Sequence, residues 1–450
     1  MPTNFKLKPQ DFGENFVWGV SNAAYQTEGA YNVNGKGLSI WDDFTSQKGK
    51  IHNNEHANVA VDFFNKYKED ILLMKSMNIP NFRFSLSWSR IIPDGNGEVN
   101  QQGIDFYNRV INFCLECNIT PWVTLYHWDL PLALEKQGGW TNRAILGWFE
   151  KYTTLCANTF GDRVKHWMVL NEPMVFTGAG YFLGVHAPGK KGLKNFLPAI
   201  HHATLCQALG GRILKKTVKN GIIGTTFSCS QITPYKNTRK HNLAAKKADT
   251  LLNRLFIEPL LGMDYPTESL PVLKRLKAYI KPGDDKLSEF EFDFIGIQNY
   301  TREVVKHSYF VPYIQAKIIK ASKRQVETTL MDWEVYPPSI YNMIKQFNQY
   351  KNIKKLIITE NGAAFTDVVK NENIEDTKRL NYFKSHLEQV HKAQQDGLNI
   401  DGYFAWTFTD NFEWAEGYKA RFGLVHVNFS NQKRTIKSSG KWFKSFLENL

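Results

Sequence analysis

The stretch KLIITENG at residues 355–362 gives the first indication of how the chain folds. Residues 356–359 are apolar or β-branched, which is typical of a short strand buried in a parallel sheet. Glu360 follows this run directly, and Asn361 and Gly362 then turn the chain. A carboxylate at the end of a buried strand is costly unless it is hydrogen-bonded, paired or used in catalysis. In barrels of alternating strands and helices, catalytic residues occupy such strand ends.

A second stretch upstream ends in the same way. HWMVLNEP at residues 166–173 is an apolar run that ends at Glu172, and Pro173 follows it. Either glutamate alone could be a turn or helix-capping carboxylate. Two strand-end glutamates in one chain predict instead two acids that face each other across one pocket.

Eight short apolar runs predict eight strands, near residues 16, 81, 120, 166, 221, 292, 355 and 401. Helical patterns are predicted at residues 58–77, 102–117, 142–160, 197–216, 249–261, 376–397 and 441–450. Residues 306–333 have weak periodicity and mixed charge, so a long loop is expected there. Because strands that alternate with helices favour parallel pairing, the sequence predicts one α/β fold, a closed (β/α)8 TIM barrel with long βα loops. Residues 1–450 would then form a single catalytic domain.

Composition argues against several classes of function. The formal net charge is +13, but the cations lie in short, scattered clusters, which favours a solvated basic surface over a nucleic-acid site. No run of 18 apolar residues predicts a membrane span, and the N-terminal residues lack the apolar segment of a signal peptide. The five cysteines are sparse and odd in number, which is typical of reduced thiols in a cytoplasmic protein.

Metal and nucleotide sites are also disfavoured. Cys114 and Cys117 have a C-x-x-C spacing, but no second pair at zinc spacing accompanies them. No glycine-rich phosphate-binding motif follows a predicted strand. We therefore expect no metal and no nucleotide cofactor.

Polar residues near other strand ends are candidates for substrate binding. Gln26 follows the first predicted strand and offers both a hydrogen-bond donor and an acceptor. Arg83 lies inside the second strand, where a buried guanidinium needs a carboxylate partner. His127, Trp128 and Asp129 end the third strand. His127 could donate to a substrate hydroxyl or be a hydrogen-bonded core histidine.

Seven motifs occur along residues 12–446 in a characteristic order: FVWGVSNAAYQTEGA from Phe16, LSIWDDF from Leu38, RFSLSWSRIIP from Arg83, YHWDLPLALEKQGGW from Tyr126, LNEP from Leu170, ITENG from Ile358 and DNFEWAEGYKARFGLVHV from Asp410. Together they resemble glycoside hydrolase family 1, the β-glucosidase-like family. The resemblance implies a retaining β-glycosidase, above all a β-glucosidase, that acts on small β-glucosides or short oligosaccharides. It implies no metal or organic cofactor.

The resemblance also implies a role for individual residues. Glu172 would be the general acid/base and Glu360 the nucleophile. Arg83 and Tyr300 would hydrogen-bond Glu360 and keep it ionised, and Asn171 would support catalysis beside Glu172. The expected substrate-binding residues are Gln26, His127, Trp128, Asn171, Trp406, Glu413, Trp414 and Phe422.

The chemistry of retention explains why these residue types are needed. It takes two carboxyl groups roughly 5 Å apart. Glu360 must be ionised to attack the anomeric carbon, so a neighbouring cation and hydroxyl should lower its pKa. Glu172 must hold a proton at neutral pH, so its surroundings should raise its pKa.

Two alternatives remain open at this point. In the first, the protein is a 6-phospho-β-glycosidase. Glu413 would accept hydrogen bonds from the hydroxyls on C4 and C6 and repel a 6-phosphate, which favours neutral β-glucosides. In the second, the protein is a catalytically silent sugar-binding protein, which the presence of both Glu172 and Glu360 opposes.

Three positions depart from the family pattern. Val169 replaces a threonine in W-x-T-x-N-E-P, and Gln298 precedes Asn299 and Tyr300 where N-Y-Y is usual. Leu132 stands where a glutamine is common, so the aglycone entrance is expected to be more apolar. The sequence leaves open the natural aglycone, the ranking of glucosides against galactosides or fucosides, and the oligomeric state.

Overall fold

A closed barrel of parallel strands lies at the centre of the computed structural model, which describes residues 5–370, 373–448 and 450. The strands are β1 (Val17–Ser21), β2 (Asn81–Ser85), β3 (Thr120–Tyr126), β4 (His166–Asn171), β5 (Ile222–Ser228), β6 (Gln231–Pro234), β7 (Phe294–Gln298), β8 (Arg302–His307), β9 (Ala316–Ile318), β10 (Leu356–Asn361), β11 (Val368–Lys370), β12 (Asn373–Glu375), β13 (Gly402–Trp406), β14 (Val425–Val427) and β15 (Arg434–Ile436). The barrel order is β1-β13-β10-β7-β5-β4-β3-β2, and β1 closes it by pairing with both β13 and β2. All eight predicted barrel strands and the (β/α)8 architecture are confirmed.

Helices surround the barrel and connect its strands. The α-helices are α1 (Ala24–Thr27), α2 (Ile40–Ser46), α3 (Phe63–Ser76), α4 (Trp88–Ile91), α5 (Gln101–Glu116), α6 (Leu132–Lys136), α7 (Ile145–Phe160), α8 (Pro173–Thr177), α9 (Leu193–Thr217), α10 (Arg239–Asp249), α11 (Ile257–Leu260), α12 (Asp284–Ser288), α13 (Pro338–Phe347), α14 (Thr377–Gln395) and α15 (Ser438–Leu447). Two π-helical turns span Gly178–Leu183 and Thr250–Arg254. Turns of 3-10 helix span Pro9–Phe12, His52–Asn54, Gly139–Thr141, Pro271–Ala278, Ala321–Lys323 and Trp414–Glu416.

Large apolar side chains fill the barrel interior. The ring of Trp122 on β3 lies 5.6 Å from that of Phe294 on β7 and 5.1 Å from that of Phe404 on β13. Neither β7 nor β13 is a neighbour of β3 in the sheet, so these contacts cross the inside of the barrel. Met168 and Ile357 join the same buried cluster. The barrel is therefore a packed core, and the site must lie at its rim.

Most helix predictions are confirmed to within a few residues, but two predicted segments differ in the structure and several helices, among them α10 and α13, were not predicted. Helix α3 begins at Phe63 and not near residue 58, because Asp62 before it has a left-handed φ of 53°. The helix predicted at 249–261 is a π-turn followed by the short α11, and α10 precedes it. Helix α13 forms outside the predicted helical segments.

The loop predicted at residues 306–333 is partly wrong. Strand β8 extends to His307, and β9 lies within the segment. The two strands pair antiparallel, and β6 pairs parallel with β8 on the other side, so the three form a small separate sheet. Strands this short carry almost no sequence pattern, because their pairing partners lie far away in the chain.

Helix α9 is the longest in the described part of the chain, with 25 residues. Its flank packs on α7, and its last turn carries Lys215 and Lys216. Among the described residues, no helix combines the length and the apolar character needed to cross a bilayer.

Candidate active site

The carboxyl ends of the barrel strands open into one cavity of about 1040 Å³. Because all eight strands are parallel, side chains at these ends meet at the same rim. The cavity is lined by residues from the ends of six strands, namely His127, Glu172, Ser228, Tyr300, Glu360 and Trp406. The two strand-end glutamates therefore share one cavity, although β4 and β10 are separated in the sheet by β5 and β7.

Glu360 is held by two side chains from other strand ends. The guanidinium of Arg83 donates from Nη1 to Glu360 Oε1 at 2.5 Å, and Tyr300 donates its hydroxyl to Oε2 at 2.7 Å. The Arg83 side chain is fully buried, and Glu360 is 3% exposed. Arg83 also donates from Nη2 to Asn171 Oδ1 at 2.5 Å. One buried guanidinium thus joins the end of β10 to the end of β4.

Asn171 is fixed by neighbours from three strands. Besides Arg83, its Oδ1 accepts hydrogen bonds from Gln298 Nε2 at 2.8 Å and Thr226 Oγ1 at 3.0 Å. With Oδ1 so occupied, its Nδ2 donates to His127 Nε2 at 2.9 Å. Burial and the charge of Arg83 hold the pKa of His127 well below its usual range, so the imidazole is neutral and its proton sits on Nδ1. No described residue hydrogen-bonds that Nδ1, which makes it a free donor.

The surroundings of Glu172 and Glu360 raise the pKa of both carboxyl groups. Burial, followed by the charge of Glu360, raises the pKa of Glu172 well above its usual range. Burial also raises the pKa of Glu360, while Arg83 and Tyr300 oppose the rise. Arg83 and Tyr300 lower the pKa as expected, but desolvation outweighs them, so the net shift is upward. Arg83 and Tyr300 hydrogen-bond Glu360, which favours Glu360 as the charged member of the pair.

A buried pair at the far side of the rim offers polar groups to a ligand. Gln26 donates from Nε2 to Glu413 Oε2 at 3.2 Å and to the Phe412 carbonyl oxygen at 2.9 Å. The Gln26 Oε1 is buried, and no described residue donates to it. Burial and the charge of Glu360 raise the pKa of Glu413 to about 8. This pair can therefore both accept from and donate to ligand hydroxyls.

Aromatic rings enclose the same end of the cavity. The rings of Trp128 and Trp414 lie 4.4 Å apart, and His127 stacks at 6.0 Å on both Trp406 and Trp414. Phe422 meets the ring of Tyr300 edge-on at 6.1 Å.

Three residues of the site have left-handed backbone. The φ angles of Trp128, Trp414 and Glu172 are 79°, 47° and 46°, respectively. Such left-handed backbone is unfavourable for side-chain-bearing residues and is concentrated at functional sites.

The family model described as Glycosyl hydrolase family 1 matches residues 8–450, nearly the full length of the chain. The chain belongs to glycosyl hydrolase family 1. Two curated relatives in the family are 41% identical: a 1,4-beta-D-glucan glucohydrolase of Thermotoga neapolitana over 97% of this chain and 98% of that protein, and Beta-glucosidase A of Thermotoga maritima over 98% and 99%.

Solved structures of similar proteins agree with the fold. The family 1 β-glucosidase from Thermotoga maritima superposes with a TM-score of 0.93 at 40% identity, over 97% of this chain and 98% of that one. The same bacterial enzyme in complex with deoxynojirimycin gives the same TM-score, identity and coverage. The crystal structure of the AHE enzyme from Alicyclobacillus herbarius also superposes with a TM-score of 0.93, at 35% identity over 99% and 98%.

The three residues that depart from the family 1 pattern, Val169, Gln298 and Leu132, differ in their relation to the cavity. Val169 faces away from the cavity, against Gly210 of α9. Gln298 takes part in the site through its hydrogen bond to Asn171. Leu132 is not among the described residues that line the cavity, and its expected effect on the aglycone entrance stays a prediction. It begins α6, where its amide donates to the carbonyl of Leu38.

Sequence reasoning missed several residues of this family 1 site. Ser228 hydrogen-bonds Glu172 and opposes the rise of its pKa. It ends β5, so the strand-end rule that singled out Glu172 could have found it. Trp333 lines the cavity with its ring 5.2 Å from that of Tyr300, and Thr226 holds Asn171. Trp333 lies in the segment predicted as a loop, where no local signal indicates a wall of the site.

One group of side chains has the ligand types of a metal site. Asp367, Asp410 and His426 bring their ligand atoms within 4.8 Å of one another. Asp410 is already paired with Lys437 at 2.6 Å, and Asp367 with the same Lys437 at 2.7 Å and with Arg379 at 3.0 Å. The cations of the protein itself neutralise these carboxylates, so the group is a buried ion-pair network.

Proposed function

We propose that this family 1 protein is a retaining β-glucosidase that removes terminal β-D-glucosyl residues through a covalent intermediate on Glu360. The observation that carries the proposal is the position of Glu360. It shares one cavity with Glu172, and Arg83 and Tyr300 hold its two oxygens at 2.5 and 2.7 Å. The β-glucosidase names of the relatives from Thermotoga maritima support the choice of sugar.

In the first step, Glu360 attacks the anomeric carbon and Glu172 protonates the departing oxygen. Arg83 and Tyr300 orient the attacking carboxylate and favour its charged form. The raised pKa of Glu172 keeps its proton available at neutral pH. The bond between C1 and the glycosidic oxygen breaks, the aglycone leaves as an alcohol, and a glucosyl ester remains on Glu360.

In the second step, Glu172 removes a proton from water, and the water oxygen attacks the same carbon. The bond between C1 and the Glu360 oxygen breaks, which regenerates the carboxylate and releases β-glucose. Because Glu360 is now an uncharged ester, the charge that had raised the Glu172 pKa in the first step is gone. The pKa of Glu172 therefore falls, and its carboxylate becomes available as the base.

Recognition of the sugar would use the unpaired groups at the rim. His127 Nδ1 donates, Gln26 Oε1 accepts, and Glu413 binds the hydroxyls on C4 and C6. Trp406 would form the stacking floor under the ring. A 6-phosphate would be buried beside the Glu413 carboxyl group, which offers it no positive charge, so neutral glucosides are favoured.

We also propose a cytoplasmic location, which composition supports. The five cysteines are all buried and unpaired in the structure. Buried thiols without disulfides are common in reducing compartments. The interpretation of the +13 charge as a solvated surface, with no nucleic-acid or membrane partner, stays a prediction.

The nucleophile can be tested by replacing Glu360. The Glu360→Ala variant should lose hydrolysis of 4-nitrophenyl β-D-glucoside, because no covalent intermediate can form. Added azide can enter the vacated space and attack 2,4-dinitrophenyl β-D-glucoside from the opposite face, so the product should be α-glucosyl azide. NMR of the product identifies the anomer. Full hydrolysis by the variant without azide would refute the assignment.

The preference for neutral glucosides is tested by comparing a glucoside with its 6-phosphate in the same assay. The wild-type protein should cleave 4-nitrophenyl β-D-glucoside much faster than the corresponding 6-phosphate. Faster cleavage of the 6-phosphate would replace the proposed activity with that of a 6-phospho-β-glycosidase. Absence of turnover on any β-glycoside of a panel would indicate a sugar-binding protein instead.

A further inference from the structure

The cavity continues beyond the sugar-binding rim into an apolar space, here called the outer chamber. Two π-helical turns, the sheet of β6, β8 and β9, and helix α10 contribute to its walls. Both π-turns belong to its lining, and such turns are frequent at functional sites. The outer chamber is defined by Phe182, Leu183, Phe196, Leu251, Leu252 and Ile314.

One carboxylate interrupts this apolar wall. Among the described residues that line the cavity, the carboxylate and lysine side chains are few. Besides Glu172, Glu360 and the turn at residues 413–416, they are Glu303 and Lys317. Glu303 lies on β8 two residues before Val305, so the two side chains share one face of the strand. Val305 is fully buried in a cluster with alanines of α10. Glu303 therefore lines the chamber from the strand face that it shares with Val305.

Nearby cations form ion pairs or hydrogen bonds with other residues, although Arg324 Nε has no hydrogen-bond partner in the described part of the chain. Arg324 and Arg302 both pair with Glu334, at 2.5 and 2.9 Å. Lys247 of α10 donates to Gln315 at 2.9 Å. No described residue hydrogen-bonds or ion-pairs with the Glu303 carboxylate, although it is only partly exposed. The oxygens of Glu303 are therefore able to accept hydrogen bonds from a ligand in the chamber.

The surroundings make a charged Glu303 unfavourable without such a ligand. Burial raises its pKa to about 7, Arg324 opposes the rise, and Glu334 and Asp332 add to it. Lys317 lines the chamber from β9 but is exposed to solvent. A half-buried carboxylate of this kind gains most from a hydrogen-bond donor, and more from a cationic one.

We propose that the outer chamber binds an apolar aglycone and that Glu303 selects aglycones carrying a hydrogen-bond donor, a hydroxyl or an ammonium group, at their far end. This inference rests on the proposed glucosidase activity and names the substrate class of that site. The bond cleaved and the residues that cleave it are unchanged. Glu303 acts on specificity alone, through binding of the leaving group.

The test compares hexyl, 6-hydroxyhexyl and 6-aminohexyl β-D-glucoside on wild-type protein and two variants. The flexible chains impose no fixed geometry on their terminal groups. In Glu303→Gln, kcat/KM for the 6-aminohexyl substrate relative to hexyl should fall at least fivefold, because the charge partner is lost. In Glu303→Leu, the 6-hydroxyhexyl substrate should lose its advantage as well. The two variants thereby separate the cationic from the neutral donor.

Two controls accompany this comparison. Methyl β-D-glucoside does not reach the chamber, so both Glu303 variants should cleave it within about twofold of wild type. Glu327→Gln removes an exposed carboxylate from the neighbouring segment that does not line the cavity, and it should change none of the ratios. Wild-type KM should also fall from methyl to hexyl glucoside, because each buried methylene is worth about a fourfold gain in binding.

A pH series gives an independent measurement. Since the pKa of Glu303 is about 7, its carboxylate is protonated below that pH and charged above it. Preference for the 6-aminohexyl substrate should therefore rise as pH increases through 7 in the wild type and stay flat in Glu303→Gln. Unchanged ratios in both Glu303 variants, or equal losses on all substrates including methyl glucoside, would overturn the inference. Absence of glucoside cleavage by the wild type would instead overturn the proposed function, and the inference with it.

Discussion

Arg83 illustrates how one residue can organise a site. It is fully buried in β2, and its two terminal nitrogens reach Glu360 and Asn171. Its charge also lowers the pKa of His127 and opposes the rise at Glu172 and Glu360. A buried guanidinium is tolerated only where its charge and donors are matched. The partners of Arg83 are Glu360 and Asn171, which both take part in the proposed reaction.

Replacement of Glu172 tests the proposed acid/base. In Glu172→Ala, kcat/KM for alkyl glucosides should fall by about 10²- to 10⁴-fold, because a poor leaving group needs a proton. The loss should be much smaller for 2,4-dinitrophenyl glucoside, whose phenolate leaves unaided. Added azide should restore turnover with the β-glucosyl azide as product, the anomer opposite to that from Glu360→Ala. Equal losses on both substrates would contradict the role.

The pH profile of the Glu172→Gln variant tests whether Glu172 supplies the proton. Burial and the charge of Glu360 raise the pKa of Glu172, so activity on alkyl glucosides requires its protonated form. Wild-type kcat/KM should fall as pH rises through that pKa, which lies well above the usual glutamate value. Glu172→Gln has no such proton, so this alkaline limb should be missing from its residual activity.

Among the secondary-structure elements, α9 packs unusually closely on the barrel. A Cβ added at Gly210 would lie 2.5 Å from Val169 Cγ1 on β4 and 3.0 Å from the ring of Phe149 on α7. Gly210→Ala should therefore destabilise the folded state by about 1–3 kcal/mol through overpacking. A lower midpoint temperature of thermal unfolding would be the measured effect.

Gly147 on α7 provides the matched control for Gly210. It is exposed, and a Cβ there would meet no atom within 4 Å. Gly147→Ala should stabilise the protein by up to about 1 kcal/mol, because alanine has the higher helix propensity. If Gly210→Ala were equally stabilising, the close contact between α9 and β4 would be disproved.

At the level of the whole molecule, the two ends of the chain are joined in one sheet. Strand β1 pairs in parallel register with β13, from Val17 opposite Gly402 to Ser21 opposite Trp406. We therefore predict that the chain is a single domain that unfolds as one cooperative unit. Tryptophan fluorescence and far-UV circular dichroism should give coincident unfolding transitions.

The Gly210→Ala variant sharpens this test of a single domain. Its destabilisation should shift the fluorescence and dichroism transitions by the same amount, because the barrel and its helices would unfold together. Two separated transitions, or a shift in only one of them, would show that the chain contains independent units.

Local pattern was enough to predict the barrel and the position of both glutamates. The eight apolar runs are short-range features, and a residue at the end of each run must lie at the rim once the strands pair in parallel. The weakly patterned strands β8 and β9 were missed for the converse reason. Their pairing with each other and with β6 depends on segments distant in the chain.

The amino-acid sequence alone therefore determined the eight barrel strands, the family motifs and the candidate residues Glu172 and Glu360. Only the folded chain decided how these residues are held and charged. Arg83 and Glu360 are 277 positions apart, yet they form one buried ion pair. The net rise of the Glu360 pKa and the unpaired Glu303 in the outer chamber were equally invisible in the sequence. Burial and hydrogen bonding depend on which distant groups meet in space, and no local pattern records that.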